Sequence, residues 1–125
     1  MPSIAIVGAS ADRRKYGNKA VRAFLKGGWT VYPVNPRIDR VEGLSAFASV
    51  GDIPGPVDRV SMYVPAAVGL AMLDDIAAKA PKEFFLNPGS ESPELAAAAA
   101  EKGLSPVLAC SIVNIGLRPD QFPDE

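Results

Sequence analysis

Ile4-Ala5-Ile6-Val7-Gly8-Ala9-Ser10, followed a short loop later by Tyr16-Gly17-Asn18, is the stretch that decides the reading of this 125-residue chain. Four consecutive apolar residues, rich in β-branched side chains, make a strand buried on both faces. The small residues Gly8, Ala9 and Ser10 then turn the chain, and a helix begins near Gly17. Such a strand–turn–helix unit leaves free N–H groups at the helix N-terminus, where the peptide dipoles favour an anion. A phosphate or pyrophosphate ligand is therefore the first expectation.

Outward from this unit, strands and helices alternate. Strand one covers Ser3 to Gly8. A helix from about Gly17 to Lys26 sets Val21, Phe24 and Leu25 on one face, and Gly27-Gly28 stops it. Strand two runs from Trp29 to Val34, where Pro36 disfavours helical geometry at Asn35. A short helical turn is expected near Leu44 to Ser49, then a Gly- and Pro-rich connector, residues 51–56. Strand three spans Val57 to Val64. Pro65 suits the first turn of a helix to about Lys79, with Val68, Met72 and Ile76 as its buried stripe. Strand four is Glu83 to Leu86, and Asn87-Pro88-Gly89 turns the chain. Ser92 caps an alanine-rich helix that starts at Pro93-Glu94 and ends at Lys102-Gly103. Strand five is Ser105 to Ala109, and the tail over residues 113–125 is expected to be irregular.

Parallel strands need crossover connections, and those connections are right-handed. The pattern therefore predicts an α/β, Rossmann-like, doubly wound five-stranded parallel sheet with helices on both faces, in a single domain over residues 1–125. A chain of this length builds one core and not two.

Composition narrows the function. Lys and Arg number 13 against 14 Asp and Glu, for a net charge of −1. No global basic surface invites nucleic acid or an anionic membrane. No apolar run approaches the roughly 20 residues that cross a bilayer. Met1-Pro2-Ser3 leads into strand one without a signal-like segment, and the single cysteine, Cys110, forms no internal disulfide; both suit a reducing cytoplasm. Histidine is absent. That removes Ser-His-Asp triads, Cys-His pairs, phosphohistidine relays and His-ligated metals. The expectation is a binding site with no catalytic residue and no metal.

In this fold class ligands lie beyond the carboxyl ends of the strands. The residues after strand one are Gly8, Ala9 and Ser10, then Arg13, Arg14 and Lys15. They do not form a G-x-G-x-x-G fingerprint, since Ser10 and Arg13 stand where its second and third glycines would be. No Gly-Lys-Ser/Thr follows to make a Walker loop. After strand two, an NAD site would place an acidic residue to hold the ribose hydroxyls. This chain has Asn35-Pro36-Arg37, with Arg40 beyond. Arginine suits an added ribose phosphate, as on NADP or coenzyme A. Tyr16 and Tyr63 read as packing residues, and Asp74, Asp75 and Glu91 as solvated surface.

Several segments together resemble the small single-domain CoA-binding proteins, relatives of the CoA-binding domain of the succinyl-CoA synthetase alpha subunit. They are Ile6-Val7-Gly8-Ala9-Ser10, Tyr16-Gly17, Val31-Tyr32-Pro33-Val34-Asn35-Pro36, residues 52–58, Asn87-Pro88-Gly89 and Cys110. The resemblance implies coenzyme A or an acyl-CoA laid across the first three strand ends. Gly8, Ala9 and Ser10 would line the pyrophosphate loop, with Arg13 or Arg14 on phosphate. Val34, Asn35 and Pro36 would border the adenosine, with Arg37 or Arg40 near its phosphate, and Val64 and Pro65 would close the other side. Cys110 would stand near the thiol end, or serve as a small residue at the end of a buried strand. Leu108-Ala109 depart from the acidic and basic pair that relatives carry before this cysteine. The larger synthetase subunit uses a phosphorylated histidine in a second domain, which this chain lacks. Non-catalytic binding of a small-molecule nucleotide cofactor is the resulting expectation. An NADP-binding redox domain and a protein-interaction module with a vestigial nucleotide site are the alternatives.

Overall fold

The computed structural model describes residues 2–125; Met1, the first residue of the expected domain, lies outside them. Its main sheet has five parallel strands in the order β2-β1-β5-β6-β7, formed by β1 (Ser3–Val7), β2 (Thr30–Val34), β5 (Arg59–Met62), β6 (Glu83–Leu86) and β7 (Pro106–Leu108). In order of appearance these are strands 2-1-3-4-5, the flavodoxin-like doubly wound order, which reverses direction between β1 and β5. The Rossmann-like architecture read from the sequence is the one observed.

The period of two in β1 divides the core. Ile4 and Ile6 join Val21, Phe24 and Ile112 on the face covered by α1 (Tyr16–Lys26) and α5 (Ser111–Asn114). Ala5 and Val7 join Leu73, Ile76 and Leu95 under α2 (Ala66–Leu70), α3 (Leu73–Lys79) and α4 (Pro93–Glu101). All five β1 residues are buried, as a central parallel strand requires. The Ser92 hydroxyl caps α4 by accepting from Leu95 N–H at 3.0 Å. Among the described residues no helix is long and apolar enough to cross a membrane.

Four expectations are corrected. The helical turn near Leu44 to Ser49 is replaced by a hairpin, β3 (Arg40–Val41) against β4 (Leu44–Ser45), and the helical residues come later, as a 3-10 turn over Val50–Asp52. The cause lies between the two strands. Glu42 and Gly43 both take positive φ, 50° and 81°, as a two-residue hairpin turn requires. The helix expected from Pro65 to Lys79 is two helices. Ala71 and Met72 donate to the carbonyls three residues back, Val68 and Gly69, which tightens the turn and rotates the face that follows. Val68 is consequently 49% exposed, while Leu73 and Ile76 are buried. Leu25 also stands outside the expected buried face of α1, at 39% exposed. The segment expected to be irregular holds the end of α5 and a 3-10 turn at Pro119–Gln121, and is fastened to α1. Lys19 Nζ donates to the Phe122 carbonyl, and Arg22 to that of Pro123.

One buried cation braces the sheet. Arg59, 4% exposed, forks onto Glu83 and also donates to Ser111 Oγ at 3.1 Å and Asn114 Oδ1 at 2.8 Å. The ring of Phe85 lies 4.2 Å from its guanidinium carbon. With all these partners its charge is compensated, and β5, β6 and α5 are tied together.

At the start of α1 two backbones pack closely. A Cβ on Gly17 would stand 2.1 Å from the Gly8 carbonyl oxygen. Gly8 itself has φ of 91°, a conformation natural only to glycine. Gly17→Ala must push this backbone contact apart, and overpacking of this kind costs about 1–3 kcal/mol. Urea unfolding of the variant checks it; stability equal to wild type would contradict the contact.

Candidate functional site

Beyond the carboxyl ends of β1, β2 and β5 lies a cleft of about 1070 Å³. It sits where the strand order reverses, the usual ligand position in an open α/β sheet. Gly8 and Ser10 border it together with the Arg14–Gly17 segment. Val34 to Arg37 contribute from the end of β2, Tyr63 to Pro65 from the end of β5, and Pro88 to Ser90 from the end of β6. Val68, Ala71 and Met72 add apolar surface from the α2–α3 junction.

Main-chain bonds hold the loop after β1. The Gly8 and Ala9 N–H groups both donate to the Val34 carbonyl, at 3.0 and 3.3 Å. The Asn35 amide donates to the Ala9 carbonyl at 2.8 Å, and its oxygen accepts from Arg37 N–H at 2.8 Å. Asn35 thus couples the two loops that border the cleft. Ser10 Oγ accepts from Asp12 N–H, which leaves its hydroxyl proton available.

The N-terminus of α1 fits an anion. Lys15 precedes the helix with no side-chain cap, and the first turn has no acidic residue. Among the described residues no protein group accepts from the Tyr16 or Gly17 N–H. Those donors, with the helix dipole, favour negative charge. Among the described residues no acidic side chain borders the cleft, whereas Arg14, Lys15 and Arg37 do.

The expected site residues divide into two groups. Gly8, Ser10, Arg14, Val34, Asn35, Pro36, Arg37, Val64 and Pro65 come together at the cleft. Ala9, Arg13 and Arg40 stand away from it. Ala9 is fully buried against α1. Arg13 forks onto Glu42, at 2.9 and 3.2 Å, and reaches the Glu125 main-chain oxygen. Arg40 folds back on the Gly43 carbonyl of its own hairpin. Arg14 lies at the rim, clamped to Asp12, whose carboxyl its hydrogen bonds pull down to about 2. Among the described residues Lys15 and Arg37 border the cleft with no ion-pair partner.

The cleft also takes in Lys15, Tyr16, Tyr63, Val68 and the Pro88–Ser90 turn; Lys15 was read among the basic residues after strand one and Asn87-Pro88-Gly89 among the segments that carry the resemblance, whereas Tyr16 and Tyr63 were read as packing residues and Val68 as buried. Tyr63 lay inside the expected strand three, whereas the observed strand ends at Met62 and leaves it at the cleft. Tyr16, expected to pack, is 61% exposed, beside the unpaired N–H groups. Cys110 is half-buried and precedes α5.

The model of a family described as the CoA binding domain matches residues 2–116. The chain belongs to that family. A curated relative, the alpha subunit of an ADP-forming acetate–CoA ligase II from Pyrococcus furiosus, is 43% identical over 63 residues, which are 50% of this chain and 14% of that protein. The chain therefore spans about a seventh of the length of this relative. Among solved structures, a conserved hypothetical protein of Pyrococcus furiosus superposes with a TM-score of 0.83 at 34% identity, covering 91% of this chain and 99% of that one. A dinucleotide-forming acetyl-coenzyme A synthetase 1 from Ca. Korarchaeum cryptofilum, in complex with phosphate and ADP, gives a TM-score of 0.75 at 32% identity. It covers 86% of this chain and 25% of that one.

In this CoA binding domain the loop after β1 is clasped to the β3–β4 hairpin. Hydrogen bonds from Arg13, then from Asn18, hold the Glu42 carboxyl below its ordinary value of 4.5. A depressed carboxylate stabilises the fold above its unfolded pKa, and that stabilisation is lost as pH falls through the folded one. The stability gap between wild type and Glu42→Gln is accordingly full at pH 7 and shrinks below pH 4.5. Urea titrations at pH 7 and pH 3 check this; a gap that does not shrink contradicts the clasp.

Proposed function

We propose that this protein binds coenzyme A or an acyl-CoA without transforming it, in the cleft beyond β1, β2 and β5. The observation that carries the reading is the uncapped N-terminus of α1 set across the cleft from Asn35-Pro36-Arg37. The Tyr16 and Gly17 N–H groups, the Ser10 hydroxyl and Lys15 would meet the pyrophosphate. Arg37, whose side chain has no protein partner among the described residues, would meet the ribose phosphate. The CoA binding domain family supports the coenzyme, and the names of its ligase and synthetase relatives are consistent with a thioester ligand.

Arg13 and Arg40 have no part in this proposal, because other groups engage them. Arg14 is a secondary phosphate candidate, since it would have to leave Asp12. The ligase reaction of the relatives is not proposed for these 125 residues, which offer no histidine to carry a phosphoryl group and no acid–base pair at the cleft.

Calorimetry with CoA, dephospho-CoA, NADP and NAD tests the reading. CoA should saturate the protein. Arg37→Glu should weaken CoA by tenfold or more, since hydrogen bonds to a charged group are worth about 1.5–3 kcal/mol. Dephospho-CoA, lacking the phosphate, should change by no more than about twofold, within the error of one weak contact. Saturation by NADP with no response to CoA would replace this reading by the redox alternative. Silence with every nucleotide would leave the vestigial module.

A further inference from the structure

The polar face of α1 gathers segments that lie far apart in the chain, and Asn18 stands at its centre, fully buried. The Asn18 amide nitrogen donates to the Ser10 carbonyl at 2.9 Å and to Glu42 Oε2 at 3.0 Å, and its oxygen accepts from Arg22 Nε at 2.7 Å. Arg22 also donates to the carbonyls of Arg13 and Pro123, at 3.0 and 2.9 Å. The amide has one workable orientation. The Glu42 carboxylate, held ionised by the hydrogen bonds from Arg13 and Asn18, can only accept, and the Arg22 guanidinium can only donate. A flipped amide would set oxygen against carboxylate and nitrogen against guanidinium. The nitrogen of Asn18 is therefore kept facing Ser10.

This matters because the loop past Ala9 has few other ties. The N–H groups of Asp12, Arg14 and Lys15 donate to acceptors within the loop itself. Among the described residues no protein group accepts from the Ser10 or Ala11 N–H. The main-chain ties from α1 to this part of the loop are Asn18 on the Ser10 carbonyl and Arg22 on the Arg13 carbonyl. Of the two tied residues, Ser10 is the one that borders the cleft. The Ser10–Ala11 peptide is trans, so its carbonyl and its N–H point to opposite sides. With the carbonyl anchored on the buried amide of α1, the Ala11 N–H is left on the side away from it. Asn18 and Glu42 do not border the cleft, so their effect on a ligand there passes through Ser10.

We propose, on the basis of the coenzyme reading above, that Asn18 is a positioning residue: it holds the Ser10 carbonyl against α1 and so presents Ser10 to the pyrophosphate, while Glu42 and Arg22 keep its amide in the orientation that does this. Affinity then depends on a side chain outside the cleft and on a carboxylate supplied by the β3–β4 hairpin. Without the amide the loop stays fastened at Ala9, through Asn35, but Ser10 samples other orientations. Binding weakens in proportion to the fraction of time that the loop is competent. The reading of the ribose phosphate is separate, because Arg37 is placed by its own N–H on Asn35.

The test is calorimetry on the intact wild-type chain, Asn18→Ala and Glu42→Gln, with CoA and dephospho-CoA, beside urea unfolding of each. A loop competent for about a tenth of the time weakens a ligand about tenfold, and Asn18→Ala should weaken both ligands by about that factor. The ratio of the two affinities, set by Arg37 on the ribose phosphate, should stay as in wild type. Glu42→Gln keeps one acceptor oxygen and the same size, and should move both ligands the same way by a smaller factor. A merely structural Asn18 would lower the urea midpoint and leave the affinity of the folded protein unchanged. Wild-type affinity in the folded variants therefore overturns the positioning role and leaves the coenzyme reading standing. A loss for CoA alone, with the ratio collapsed, places the effect at the ribose phosphate and overturns the route through Ser10. Should Asn18→Ala not fold, Glu42→Gln decides by the same two readouts. Failure of wild type to bind either CoA form overturns both readings.

Discussion

The approach of Gly17 to the Gly8 carbonyl is the contact on which the site depends. Two backbones meet where any side chain would intrude. Because they meet, α1 starts directly over the end of β1, and its first N–H groups stand at the cleft instead of in open solvent. The rest of the loop is fixed by main-chain donors on the Val34 carbonyl and by the Asn35 amide. Basic side chains brace this frame from outside, Arg13 by its fork onto Glu42 of the hairpin. That division explains how a loop without the usual three glycines still brings a helix N-terminus to the cleft: the second glycine needed for close approach comes from the helix itself.

Much of this was legible because it is local. Five β-branched or aromatic strand segments, glycine helix stops, the Ser92 cap and the proline at the start of α4 each announce themselves over a few residues. The differences between expectation and structure fall where a distant residue decides. Nothing near Arg13 shows that Glu42, 29 positions away, will take its guanidinium. Val68 repeats at helical spacing with Met72 and Ile76, yet two tightened hydrogen bonds turn it outward into the cleft. Glu42 in a left-handed conformation has no sequence signal beyond the glycine that follows it, so the hairpin read as a helical turn. Lys15 was read beside Arg13 and Arg14 after strand one, and its place just ahead of α1 sets it beside the uncapped N–H groups.

Two buried polar side chains organise the β5–β6 half of the sheet. Arg59 ties β5 and β6 to α5, and Asn87 ties the end of β6 to β5 and to the first residue of α5. Read as a turn triplet, Asn87-Pro88-Gly89 disclosed only its backbone role. Its amide also fixes where α5 begins, and so where Cys110 and Ile112 stand. The seat of α5 on the sheet is thus set by hydrogen bonds from both side chains.

The fastening of residues 122–125 to α1 has a consequence for variation. Lys19, Arg22 and Arg13 each grip a main-chain oxygen, of Phe122, Pro123 and Glu125 in turn. Main-chain oxygens are present whatever residue occupies the position. Apart from the buried ring of Phe122 and the Lys19–Asp124 ion pair, the segment is recognised by its path and not by its spelling. Sequence drift among related chains should therefore run freely along the strap and stop at the three cations that hold it.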